Sequence, residues 1–260
     1  MQNKINISPT PKQSKMMQKV LKMHQSGHLD LAETYYKKLL NDLPENTVLL
    51  TNFGTLQFQK KKLYNGIKII ERSLKIDPNQ PNALNNLGVI FLELNQPNEA
   101  LIRFDSAITF QANYAEAHSN RGNALNDLNR LKDALESYDR AILINPGYAK
   151  AHSNRGNVLK DLNRLNEALQ SYDCAITLMP NYANAYSNRG DALRELNQLE
   201  KAIESYEFAI KLNPDIGFIL GELFKAKLSL CSWSGLVDRT RKIKTKISNN
   251  EKASSPFSLL

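Results

Sequence analysis

Residues 115–148 read AEAHSNRGNALNDLNRLKDALESYDRAILINPGY, and 149–182 follow at once with nearly the same text, AKAHSNRGNVLKDLNRLNEALQSYDCAITLMPNY. Two adjacent stretches of one length and one pattern mean that a structural unit has been copied in tandem, and a period of this size dictates a repeat architecture. Working outward, glycine returns every 34 residues at Gly54, Gly88, Gly122, Gly156 and Gly190. Alanines keep step at Ala100, Ala134, Ala168 and Ala202 and again at Ala107, Ala141, Ala175 and Ala209, with aromatics at Phe104, Tyr138, Tyr172 and Tyr206. Prolines close units at Pro44, Pro78, Pro146, Pro180 and Pro214.

Within 115–148 the pattern predicts a helix A running to about Leu128 and a helix B from about Leu131 to Ile144. Asn129 stands at the turn, as do Asn95, Asn163, Asn197 and, in the first unit, Gly27; these residue types tolerate the left-handed backbone that ends a helix. Gly122 and Ala134 are small where helices A and B approach, and Tyr138 fills the space beside them with Leu125 and Leu128. Pro146 drives Asn145 out of the helical region and stops helix B. Small, large and helix-breaking residues in this order resemble the tetratricopeptide repeat. That resemblance implies an all-α fold, a right-handed α-α superhelix of about six helix pairs with a C-terminal capping helix, in which each pair is buried only by its neighbours.

Setting the glycine at position 8 gives units 13–46, 47–80, 81–114, 115–148, 149–182 and 183–216. Residues 1–12 are expected to be a flexible N-terminus. The first two units depart from the pattern: Val20 and Leu39 replace the glycine and an alanine in one, Gly66 and Ser73 replace alanines in the other. Ala112 replaces the closing proline of the third. Beyond the repeats, Phe218, Leu220, Leu223, Phe224 and Leu228 recur at roughly helical spacing and predict a helix covering the end of the stack, within a connector spanning 217–246. Residues 247–260 read as a linker, ending in an apolar SPFSLL that suggests an interrupted sequence.

The formal charge of +8 is unevenly placed: residues 1–30 carry five lysines against Asp30, and residues 221–260 carry eight Lys or Arg against three acids. A nucleic-acid solenoid is basic along its groove, whereas this chain is basic at its ends, so nucleic acid is not expected as a partner. Cys174 and Cys231 form neither a disulfide framework nor a metal spacing. No signal peptide and no stretch of about 18 apolar residues appears, so the expected setting is cytoplasmic, away from the membrane.

His118 and His152 occupy one repeat position in successive units, where Tyr186 follows, and read as planar fillers at a helix junction rather than metal ligands. His24 and His28 read as surface residues. No phosphate loop, dinucleotide fingerprint or nucleophile elbow is present, and acids such as Asp127, Asp161 and Glu195 recur as parts of the units. The expectation is a chain without catalytic residues, cofactor or metal.

The candidate site is a row of carboxamides. Asn52, Asn86, Asn120, Asn154 and Asn188 all hold position 6 of helix A, on the wall that is concave in this architecture, with Asn123, Asn157 and Asp191 three residues further on. A carboxamide donates and accepts, so it can hold both halves of a peptide bond whatever the side chain beside it. With helices spaced about 10 Å apart and an extended chain advancing about 3.3 Å per residue, one asparagine would meet about every third residue of a bound strand. The competing reading is that the row bonds to neighbouring helices, and the sequence leaves both standing. Arg121, Arg155 and Arg189 beside it either pack their stems or present charge to an acidic partner. Thr51, Asn85, Ser119, Ser153 and Ser187 precede the asparagines, which leaves no lysine for clamping a chain-end carboxylate.

The repeats beginning AHSNRGN resemble those of protein O-linked N-acetylglucosamine transferases and their bacterial SPINDLY-type relatives. So does the stretch GFILGELFKAKLSLCSWSGLVDRTRKI, where Leu230, Cys231, Ser232, Trp233 and Ser234 match a Leu-Cys-x-Trp-Ser motif after the last repeat. The resemblance implies a module that recognises protein or extended-peptide acceptors through the asparagine row and works beside a separate glycosyltransferase region, which this chain does not contain. The alternatives are a generic repeat scaffold, in which groove charges such as Lys150, Lys160 and Arg194 select the partner, and a truncated piece of a full glycosyltransferase.

Overall fold

The structure is a computed structural model that describes residues 9–230 together with Arg241 and Thr245. It divides into two compact units, Met1–Leu128 and Asn129–Leu260. Among the described residues every regular element is an α-helix. The first unit holds α1 (Pro11–Gln25), α2 (Leu29–Asp42), α3 (Thr47–Gln59), α4 (Leu63–Ile76), α5 (Pro81–Glu93), α6 (Pro97–Phe110) and α7 (Ala115–Asp127). The second holds α8 (Leu131–Ile144), α9 (Ala149–Asp161), α10 (Leu165–Leu178), α11 (Ala183–Glu195), α12 (Leu199–Leu212) and α13 (Ile219–Ser229).

Helix starts and stops follow local chemistry. Pro11 sits in the first turn of α1, and Thr10 and Gln13 form a capping box in which each side chain bonds the other's backbone N–H. Residues 11 and 12, expected in a flexible tail, are therefore helical. Asn95, Asn163 and Asn197 end helices A at φ of 56–58°, and Gly27 at 82°. Behind each, the chain turns back onto the helix it has left: Arg164 N–H reaches Leu159 O at 2.8 Å and Gln198 N–H reaches Leu193 O at 2.8 Å. In the second pair Lys61 holds this place at φ 59°, a conformation that disfavours a side chain.

Close approach of helices A and B explains the glycine period. A Cβ added to Gly88 would lie 2.5 Å from the Phe104 ring, and one added to Gly190 would lie 2.6 Å from that of Tyr206. Phe104, Tyr172 and Tyr206 are fully buried. In the irregular second pair Gly66 lies against the backbone of Gly54, and Ser73 bonds Thr51 at 3.1 Å, so the changed residues there still fill a joint.

Two expectations are corrected. His24 is a core residue, 7% exposed. Its Nε2–H donates to Gln59 Oε1 at 3.2 Å, which leaves Nδ1 to accept from the Tyr36 hydroxyl at 3.2 Å, so one ring ties α1 to α2 and α3. Helix spacing alone placed it outside; the terminating Gly27 turns α2 back over it. Burial lowers the His24 pKa below the ordinary 6.5, against a weaker opposing effect of the Gln59 bond. The unfolded chain therefore takes up the proton first, and stability present above about pH 6.5 is lost as pH falls toward the folded-state value. Urea midpoints should fall between pH 7.5 and 5.5 in the native chain and fall less in His24→Gln; parallel pH profiles would refute the assignment.

The face that α13 buries shares only Leu223 with the residues expected there. Ile219, Leu223 and Ala226 join Ala202, Tyr206 and Ala209 in one apolar cluster, whereas Phe218 and Leu228 are exposed and Leu220 and Phe224 half-buried. The buried triplet stands 34 residues after Ala185, Arg189 and Ala192, so α13 is a further helix A. The Cys231–Ser234 part of the connector motif and residues 247–260 lie outside the described residues.

Candidate functional site

In the first unit Asn52, Asn86 and Asn120 are half-buried on α3, α5 and α7. Asn86 Nδ2 donates to Thr55 Oγ1 of α3 at 2.9 Å, and Asn120 Nδ2 donates to Asn85 Oδ1 of α5 at 3.0 Å. At the place on α1 matching Thr55 stands Leu21, which offers no acceptor, and Asn52 has no hydrogen-bond partner among the described residues. Asn123 is half-buried on α7.

In the second unit Asn154 and Asn188 are half-buried on α9 and α11. Asn188 Nδ2 donates to Asn157 Oδ1 at 2.8 Å, and the same oxygen accepts from the Tyr172 hydroxyl at 2.9 Å. One repeat later the Tyr206 hydroxyl donates to Asp191 Oδ1 at 2.7 Å. Burial raises the Asp191 pKa, partly offset by the Tyr206 hydrogen bond and by Lys160. Burial likewise raises both tyrosine pKa values, so the hydroxyls remain donors. The bonding reading of the row is thus realised for one N–H of Asn86, Asn120 and Asn188. Their carbonyl oxygens and second N–H groups are left for other partners.

The row continues where the sequence reading stopped. Glu222 stands 34 residues after Asn188, and with it the A-helix faces of α9, α11 and α13 line an open polar pocket of about 450 Å3. Asn188, Asp191 and Glu222 line it together with Lys160, Arg194 and Lys225. Lys225 Nζ lies 3.1 Å from Glu222 Oε1, while Arg194 Nε stands 3.6 Å from Glu222 Oε2; neither of the latter two atoms has a hydrogen-bond partner, and both are buried. Phe218, at φ 61°, borders the cavity. Sequence periodicity pointed to Glu222 by position, but an acid in an asparagine row broke the residue-type match.

Family models match this architecture. The tetratricopeptide repeat models cover residues 69–102 and 183–216, and a TPR repeat model covers 122–162 and 156–193. The chain carries tetratricopeptide repeats. Its repeats are 32% identical over 88 residues to the BBSome complex member BBS4 of Mus musculus, a match taking in 34% of this chain and 17% of that protein. Among solved structures, PilW, a type IV pilus biogenesis factor, superposes with a TM-score of 0.73 at 16% identity, over 83% of this chain and 98% of that one. A tetratricopeptide repeat protein from Parabacteroides merdae gives 0.68 at 20% identity over 91% and 93%. YrrB, described as a TPR protein with an unusual peptide-binding site, gives 0.55 at 24% identity over 69% and 93%. At these identities the structures establish the repeat fold alone.

The arginines beside the row are engaged within the tetratricopeptide repeats and are not available as free charge. Arg121 Nε bonds Asp105, Arg155 Nε bonds Asp139 and Arg189 Nε bonds Asp173, each at 2.6 Å. Arg155 and Arg189 also donate to Ser171 and Ser205 of their own helices B. Each guanidinium therefore clips a helix A to the helix B before it. The recurring 16-residue separation of Arg and Asp is the signal that locates these clips in the sequence. His118 and His152 fasten the loop that precedes their own helix, donating Nε2–H to Ala112 O and Pro146 O at 3.0 Å. Tyr186 instead stacks on Phe208, with ring centres 5.1 Å apart. No described helix is long and apolar enough to cross a membrane.

Proposed function

We propose that this chain is a protein-interaction scaffold that holds extended segments of partner proteins on its A-helix faces. The observation that carries this reading is the half-used carboxamide: Asn86, Asn120 and Asn188 are each oriented by one N–H bond to a neighbouring helix, with the oxygen left to accept from a peptide N–H. The cavity of the second unit adds side-chain selectivity, because Lys160, Arg194 and Lys225 line it together with the half-buried acids Asp191 and Glu222. Peptides enriched from a random library on the full chain provide the probe. Reversing Lys160 and Arg194 to Glu should change which charged residues are enriched; an identical selection from native and variant chains would rule the cavity out.

The narrower reading, acceptor recognition beside an O-linked N-acetylglucosamine transferase region, rests on the resemblance of the repeats and of the Leu230–Ser234 connector. The matches to repeat proteins of several kinds support the general scaffold ahead of it. An in-frame glycosyltransferase region in the DNA after Leu260 would favour the narrower reading, and an immediate stop codon would count against a fused enzyme.

A further inference from the structure

We infer that the outer face of α1 docks an acidic helix of a partner protein, independently of the A-helix groove. Lys12, Lys15, Lys19 and Lys22 are all exposed and fall on one stripe of α1, about 15 Å long at the helical rise. The helix Pro11–Gln25 contains no acid. Among the described residues none of the four lysines has an ion-pair or hydrogen-bond partner. Spacings of three and four residues put like charges side by side, which opposes helix formation until an anion offsets them.

The repeat geometry says what that face is for. Lys15, Lys19 and Lys22 hold positions 3, 7 and 10, the places through which every later helix A meets the pair before it. Positions 3 and 10 are buried apolar residues elsewhere in the unit: Leu49, Ala83 and Ala117, and Leu56, Ile90 and Ala124. Position 7 is buried Phe53 and Leu87 on α3 and α5 and, on α7, Arg121, whose mate Asp105 stands on the preceding helix. A joint face in which all three positions are lysine fits a helix presenting acids in that register, much as flanking charges choose partners in coiled coils. A polar end cap alone requires only polarity, and mixed charges would supply it without self-repulsion.

The shape of the charge favours a single helix over a broad polyanion. It is confined to α1, because α2 beside it carries Asp30, Glu33 and Asp42 against Lys37 and Lys38. The apolar side of α1, with Val20, Met16 and Met23, is packed into the core and unavailable for insertion into a bilayer. Lysines are also point charges without the planar fork suited to phosphate.

The test uses the full chain and two synthetic peptides of about 18 residues, long enough to be helical with good helix formers. One carries glutamates at i, i+3, i+7 and i+10; its isomer has the same composition with the glutamates spread around the helix. At about 0.15 M salt, the registered peptide should bind about tenfold tighter than the isomer or better. Replacing the four lysines by Gln should abolish that preference while the circular dichroism spectrum and the Asn-dependent peptide binding stay unchanged. Equal binding of the two peptides, tighter binding to phosphatidylserine vesicles or duplex DNA, or no binding to any of them would each overturn the proposal.

Discussion

Gly156→Val should lower the stability of the second unit by about 3 kcal/mol, the upper end of the range for overpacking a close-packed joint. A Cβ at Gly156 would sit 2.5 Å from Tyr172 Cε1 and 2.8 Å from Cδ1. The ring has no room to give way: Tyr172 is fully buried and its hydroxyl is held by Asn157. Gly156→Ala should lose less, because alanine recovers up to about 1 kcal/mol of helix propensity. Adding Tyr172→Leu to the valine variant should restore part of the loss by removing the ring that is struck. Urea unfolding of the four chains measures all three effects. An unchanged midpoint for Gly156→Val would mean that helices A and B do not meet at the glycine.

The second large effect is on binding. In the chain carrying Asn120→Ala, Asn154→Ala and Asn188→Ala, library-selected peptides should bind about 10- to 1,000-fold more weakly, since each net hydrogen bond contributes about 0.5–1.5 kcal/mol. The helical content should persist, because the replaced groups bond from one helix to another, Asn120 to Asn85 and Asn188 to Asn157, and support no helix by themselves. Titration calorimetry separates the outcomes: a large loss of affinity with normal helicity supports backbone capture by the row, and native affinity removes it.

What the sequence discloses here depends on whether a residue's role is local or shared. Turn asparagines such as Asn163 and joint residues such as Gly190 and Tyr206 are set by the period itself, so their places were legible. His24 was misplaced because its partners lie 12 and 35 residues away, in helices whose orientation depends on the turn at Gly27. The face of α13 was misjudged for a related reason: hydrophobicity favoured Phe218 and Leu228, while register with the preceding helices A selected Ile219, Leu223 and Ala226. Positions in the asparagine row were readable, but their bonds were not. Asn86 and Asn188 reach 31 residues back, whereas Asn120, facing Val89 at the equivalent place, bonds Asn85 instead. The arginine clips were hidden in the same way, since an exposed-looking charge reveals its mate only when the repeats are stacked.

The central claim is that partner segments lie along the A-helix faces and touch the carboxamides. Side-chain amide resonances of the asparagines report this directly when a selected peptide is titrated into labelled chain. The account predicts shifts in Asn52, Asn86, Asn120, Asn154 and Asn188, with the turn residues Asn95 and Asn163 unmoved. Shifts confined to the outer faces of helices B, with the five row amides unchanged, would contradict it.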